Sequence, residues 1–318
     1  MKNFILKSVF FCSLLAGSYL FLVDKLSEGH VDMNYPKFTQ EAGSLIIGLS
    51  RADQGIDPEI LESHFLSPGF NGPLINFASN QSYFGETYLN AIKKKLNAGP
   101  EKRIFIVAVS PGSFSGPVGF GAKGIETMDR NTPIGKTKDF TSNPNYNYIM
   151  NCYGNGLYTA LINERGWENL TSHANGWNEI SLESKSSPIT PALIGDWKKQ
   201  NLAYYNRRLP KEEIKAYRKQ WFVKIIDFLK TEGTVHLVRL PIDPEILSFE
   251  NQSWEEFDTF MGRLAIEKEI PYFDYTKGSR GFATYDGSHL YSETAKEFSA
   301  QLALDIQEYN NSKDGYDP

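Results

Sequence analysis

Beyond residue 40 the chain alternates short apolar runs with longer amphipathic stretches. The runs are Leu45–Leu49 (LIIGL), Leu74–Ala78 (LINFA), Ile104–Val109 (IFIVAV), Val235–Leu240 (VHLVRL) and Tyr272–Tyr275 (YFDY), bounded by Gly, Ser, Asn or Pro. Such runs read as strands buried on both faces, the signature of a parallel sheet. Between them the spacing predicts helices. Thr87–Leu96 is one, and a second carries Ile214, Tyr217, Trp221, Ile225 and Phe228 before Gly233. Ser253 with Glu256 predicts a capping box opening a helix to about Lys268. A last helix from near Ser292 is expected to bury Ala295, Phe298, Leu302 and Ile306. The expected fold class is α/β, a three-layer α/β/α sandwich around a five-stranded parallel sheet.

Two segments break this rhythm. Lys2 and Lys7 precede an uncharged run from Ser8 to Val23 that stops at Asp24-Lys25. Residues 4–23 give about 20 apolar positions, enough to cross the hydrocarbon at about 1.5 Å per residue. The flanking lysines place the N-terminus in the cytoplasm and export the remainder. No small-x-small cleavage site follows, and Leu15-Ala16-Gly17-Ser18 lacks a lipoprotein cysteine. An uncleaved signal anchor is therefore expected, with secretion after signal cleavage as the alternative. The second segment, 115–210, is rich in Gly, Asn, Tyr and Trp and too long for an ordinary βα loop. The chain thus divides into an anchor and linker (1–30), an α/β domain (31–114 and 211–318) and an insertion (115–210) over one end of the sheet.

Composition narrows the chemistry. Apolar residues make up 41% of the chain, sufficient for a sizeable core, and a net charge of −5 without a basic block argues against nucleic-acid binding. One of the two cysteines, Cys12, lies inside the apolar run, so Cys152 has no partner for a disulfide scaffold. The histidines at 30, 64, 173, 236 and 289 are scattered without metal-ligand spacing, so neither a metal nor another cofactor is expected. Gly119-Phe120-Gly121-Ala122-Lys123-Gly124 matches a dinucleotide-loop pattern. It does not directly follow a predicted strand, and Thr132-Pro133 interrupts the helix it would open.

Two places carry the candidate chemistry. Ile46-Ile47-Gly48-Leu49-Ser50-Arg51 ends a buried strand in Gly-x-Ser. Ligands of open parallel sheets bind at the carboxyl ends of strands, which puts the Ser50 hydroxyl on that edge. Tyr285-Asp286-Gly287-Ser288-His289-Leu290 precedes the last helix. An Asp three residues before a His on a loop can hold the ring tautomer whose Nε2 accepts a proton. Each alone is also what a helix cap or a turn looks like. Arg51 either holds an anionic substrate group or pairs with a neighbouring acid. Trp177, Tyr146 and Tyr148 either form a sugar-stacking wall or pack in the core.

Together, Gly-x-Ser after the first strand and Asp-x-x-His before the final helix resemble the SGNH (GDSL-type) hydrolase superfamily. Within it, Gly48-Leu49-Ser50-Arg51 with Gln54-Gly55-Ile56-Asp57-Pro58, and Val109-Ser110-Pro111, resemble the DltD-like and polysaccharide O-acetylation branch. His173-Ala174-Asn175-Gly176-Trp177 has a similar look. The resemblance implies a flavodoxin-like sheet and a triad of Ser50, Asp286 and His289. It further implies an extracytoplasmic esterase or O-acyltransferase working on acylated glycan or cell-wall polymer through an acyl-serine. The alternative is a non-catalytic module that binds glycan or partners a membrane-bound O-acyltransferase. The family's block-two glycine and block-three asparagine are absent, since the chain reads Asn76-Phe77-Ala78-Ser79-Asn80-Gln81 and Ser110-Pro111-Gly112-Ser113. The backbone N–H of Ser50, the Asn80 side chain and the backbone at Gly112 are the substitute oxyanion candidates.

Overall fold

The structure is a computed structural model and describes residues 1–29, 31–65, 70–99, 103–162, 166–184, 186–277 and 281–314. In chain order its strands are β1 (Ser44–Ile47), β2 (Leu74–Asn76), β3 (Arg103–Ala108), β4 (Ser115–Pro117), β5 (Leu170–Ser172), β6 (Asn178–Ile180), β7 (Glu212–Ile214), β8 (Gly233–Arg239) and β9 (Tyr272–Asp274). Five of them form the central sheet in the order β2-β1-β3-β8-β9. All its pairings are parallel. The order reverses once, beside β1, and open α/β sheets bind ligands at such a point.

The alternation of side chains along these strands builds two cores. Leu45, Ile47, Phe105, Val107, Val235 and Leu237 face one side. Tyr88, Leu89 and Ile92 from Glu86–Lys95 cover them, with Phe222, Ile225 and Leu229 from Ala216–Glu232 and Met261 from Phe257–Lys268. Ile46, Ile106, Ala108 and Val238 face the other side, against Ala52, Leu61, Ala295, Phe298, Leu302 and Ile306. The result is the expected three-layer α/β/α sandwich.

Several local expectations need correction. Ser253 does not open a helix; its hydroxyl donates to the Glu250 carbonyl and closes the preceding helix Pro244–Ser253. The next helix, Phe257–Lys268, has Glu256 at its N-cap without a side-chain cap bond. Ile214 belongs to β7, so the helix read from it begins two residues later, at Ala216. The glycine-rich loop 119–124 does follow a strand, β4, and Gly121 caps a helix, Ala122–Arg130. That strand pairs antiparallel with β7, outside the parallel sheet, so the dinucleotide arrangement is still not made.

The N-terminal helix Lys2–Ser27 is long and apolar enough to cross a membrane. Phe4, Phe10, Leu14, Leu20 and Phe21 are exposed along it. Its last turns behave differently. Val23 and Leu26 are buried and Leu22 partly so, within the core that holds Phe38 and Tyr148. The Tyr146 hydroxyl donates to Asp24 at 2.6 Å.

Candidate active site

The site is assembled at the carboxyl edge of β1. Gly48 follows the strand with φ +148°, and a Cβ there would lie 2.8 Å from the Ala108 Cβ. Only glycine fits that turn. Leu49 then caps the helix Ser50–Gly55, so Ser50 is its first residue. Its backbone N–H has no intrahelical acceptor at that position.

Six residues are too few for a helix to persist unaided. Surrounding side chains hold this one in place. Asn76, at the end of β2, donates from Nδ2 to the carbonyls of Ala52 (2.8 Å) and Ile56 (3.0 Å). Trp177 Nε1 donates to the Gln54 carbonyl at 2.9 Å. Asp53 accepts from Asn178 Nδ2 at 2.8 Å and pairs with the buried Lys37 at 2.7 Å. Lys37 Nζ also donates to the Asn76 and Gly176 carbonyls. Each orphaned carbonyl left buried would cost about 1–3 kcal/mol, so these bonds are what fix the Ser50 hydroxyl. Burial pushes the Lys37 ammonium down and the Asp53 carboxyl up, each partly opposed by the attraction of the other.

His289 arrives from the far end of the chain. Gly287, at φ +85°, turns the loop back so that Asp286 Oδ1 accepts the N–H groups of Ser288 and His289, both at 2.8 Å. Asp286 Oδ2 lies 2.8 Å from His289 Nδ1, and His289 Nε2 lies 2.8 Å from Ser50 Oγ. Burial raises the Asp286 carboxyl, but His289 and the two backbone donors outweigh it and hold the group below its usual range. An ionised Asp286 favours the Nδ1–H tautomer, leaving Nε2 free to accept the serine proton. Tyr285 stacks on the imidazole at 5.9 Å and donates its hydroxyl to Gln54 Oε1 at 2.8 Å.

Ser50 and His289 open onto a cavity of about 550 Å³, whose wall also includes Arg51, Asn80 and Gly112. Asn80 is exposed in the loop after β2. Gly112 sits in the one-turn helix Pro111–Phe114, where a Cβ would meet only Ser110 Oγ at 3.7 Å and Leu49 Cδ1 at 4.0 Å. Arg51 pairs with Glu250 at 2.7 Å and donates to Ser288 Oγ and the Tyr205 hydroxyl at 3.0 and 2.9 Å. Of its two readings, the structure holds the pairing with an acid.

The suggested aromatic wall is elsewhere. Trp177 and Tyr148 are buried in the two cores, and Tyr146 meets the N-terminal helix. The aromatic residues on the cavity are Tyr83, Tyr204, Tyr205 and Phe249. Two of them come from the helix Pro191–Arg208, which has no fully buried residue and packs only through Leu193, Ile194 and Trp197 near its start, so little apolar period reaches Tyr204 and Tyr205. The spacing of Tyr204, Arg208 and Glu212, four residues apart, is the signal that was present. Among the described residues no group of three or more His, Cys, Asp or Glu is placed to hold a metal ion; His30 lies outside them.

No protein-family model matches the chain, and no curated protein matches it in sequence. Among solved structures it is similar to the native aryl esterase of M. smegmatis (10% identity, TM-score 0.36). It is also similar to Est24, a carbohydrate acetylesterase from Sinorhizobium meliloti (9% identity, TM-score 0.37). Both alignments cover 84% of this chain and 99% of the other. Likeness this distant carries no activity across to this chain.

Proposed function

We propose that the chain is an SGNH-type serine esterase or O-acyltransferase, exported and held at a membrane by its N-terminal helix. Its substrates would be acyl esters of cell-wall or exported polysaccharide. The observation that carries this reading is the unbroken relay Ser50 Oγ–His289–Asp286, with 2.8 Å at each step and the hydroxyl facing a cavity. In the proposed mechanism His289 Nε2 takes the Ser50 proton as Oγ attacks the ester carbonyl. The imidazolium formed is stabilised by Asp286, then protonates the departing sugar oxygen. Water or a second sugar hydroxyl next attacks the acyl-serine, its proton returning through His289. The Ser50 N–H, with Gly112 and Asn80 on the facing wall, is proposed to receive the oxyanion.

The insertion 115–210 is proposed to lie over the active-site edge, supported by Tyr204, Tyr205 and Arg208 in the cavity wall. The anchor is proposed to remain uncleaved, because Leu22, Val23 and Leu26 pack in the core and removing them would open it.

Ser50→Ala is expected to abolish turnover of a chromogenic acetyl ester and labelling by an uncharged serine-directed phosphonate, with circular dichroism unchanged. Equal labelling of wild type and variant rejects the assignment. Glycan binding or co-purification of a membrane-bound O-acyltransferase, without turnover, would replace it by the non-catalytic reading.

A further inference from the structure

The cavity beside Ser50 is lined by charged groups, and each is matched by a partner of opposite sign. Arg51 pairs with Glu250 at 2.7 Å, and Glu250 also holds Arg239 at 3.1 Å. Arg208 grips Glu212 with one edge of its guanidinium, Nε at 2.8 Å and Nη2 at 2.6 Å. Its remaining edge donates to the Tyr204 hydroxyl at 2.7 Å, with the guanidinium 5.1 Å from that ring's centre. Asp53 is held by Lys37, and Glu213 by Lys215. Between these pairs the wall is aromatic or neutral and polar, including Tyr83, Tyr204, Tyr205, Phe249, Asn80 and Gln81.

A ligand carboxylate or phosphate entering this space must shed its water. Strong anion sites replace that water with a free guanidinium edge, and here both guanidiniums are already engaged by carboxylates. The carboxylates themselves oppose a second negative charge. Hydroxyl-rich, uncharged ligands meet no such barrier and find aromatic faces and amides to bind.

We infer that the site selects acyl esters of uncharged glycans, and that Glu212 sets this selectivity by keeping Arg208 from the ligand. The inference rests on the esterase reading of Ser50. Glu212 is the adjustable member because its pair with Arg208 is partly exposed, whereas Arg51 and Glu250 are nearly enclosed and continue to Arg239.

The test compares acetate release from an O-acetylated methyl glucoside with that from the matching methyl glucuronoside, which differs by one carboxylate. The full chain in detergent is expected to favour the uncharged ester by at least about tenfold in kcat/KM, the scale of one nearby unit charge in a partly solvated site. Glu212→Gln is expected to narrow that preference by about tenfold, and adding Arg208→Gln to restore it. A wild type that hydrolyses both esters equally overturns the inference while leaving the esterase reading intact. An unchanged preference in Glu212→Gln overturns the role of Glu212. Should that variant lose phosphonate labelling through misfolding, salt dependence decides: the wild-type preference must shrink with ionic strength, and a salt-independent preference refutes a charge origin. Failure of the wild type to label at Ser50 removes the esterase reading and this inference with it.

Discussion

The Lys37–Asp53 pair ties down the helix that carries Ser50, of which Asp53 is a member, and removing one partner tests how that helix is held. The side chains are 1% and 2% exposed and 2.7 Å apart. Lys37→Met leaves Asp53 with only Asn178 as a donor among the bonds described above, and leaves the Gly176 and Asn76 carbonyls short of one. Breaking a buried pair from one side costs about 3–5 kcal/mol, a large share of the roughly 5–15 kcal/mol that stabilises a domain. Asp53→Asn is expected to cost a similar amount by stranding the ammonium. The double variant Lys37→Met/Asp53→Asn strands neither charge, so its loss should fall short of the sum by at least about 2 kcal/mol.

The pH dependence of Lys37→Met has a definite sign. Burial already raises the Asp53 carboxyl, and loss of the lysine removes the attraction that opposed this. A raised carboxyl binds its proton more readily in the folded state than in the unfolded chain. The stability it contributes is present at acid pH and lost as pH rises from the ordinary value of 3.8 through the folded one. The penalty of Lys37→Met should therefore be smallest in acid and largest at neutral pH. Urea unfolding at several pH values, with the rate of phosphonate labelling at Ser50 as a functional readout, measures both effects. Single variants that each lose under about 1 kcal/mol and add without coupling would refute the argument.

Further outcomes follow from other contacts. Asp286→Asn keeps the loop bonds but takes away the carboxylate that orients His289; acetyl-ester turnover should fall by about 10³–10⁴-fold with circular dichroism unchanged. Burial lowers Lys95 to about 7, where its ammonium meets the Gln40 and Phe140 carbonyls. A lowered amine resists protonation in the fold, so wild-type stability should rise between pH 7 and about 10. Lys95→Met should flatten that slope in thermal unfolding, and an identical slope would contradict the sign. Gly176 has φ +84°, and a Cβ there would sit 2.3 Å from the Asn76 carbonyl oxygen. Gly176→Ala is expected to lower stability by at least about 2 kcal/mol and slow labelling at Ser50, because Asn76 cannot yield without releasing the helix beneath it.

The strands were legible because a parallel sheet buries both faces, which makes runs such as IFIVAV continuous and conspicuous. Ser50, Asp286 and His289 were legible as separate motifs, since each sits where chain order and local spacing already restrict its geometry. The cavity wall was not. Tyr204, Tyr205 and Arg208 lie at the end of a helix that is only half-buried, through Leu193, Ile194 and Trp197 at its start, and its polar second half carries little apolar period. Before that helix the region from 115 is built of three-residue strands and short helices tied by contacts such as Asn145 Nδ2 to the Phe38 carbonyl and Asn169 Nδ2 to that of Ser181. Contacts between distant side chains and backbone leave no periodic trace. Ser253 shows the opposite failure, a cap-like spacing whose hydroxyl instead bonds backwards to the Glu250 carbonyl.

The apolar N-terminal helix does not end in a loose tether; its final turn is part of the globular core. With the proposed span seated in a bilayer, the body could neither swivel freely nor drift away, and the mouth of the cavity would be carried at a set height and heading. Such an arrangement would work like a tool in a fixed mount: a substrate of the proposed kind would have to be brought past it. One residue inserted in the exposed part of the helix would turn that mount by about 100° and raise it by about 1.5 Å.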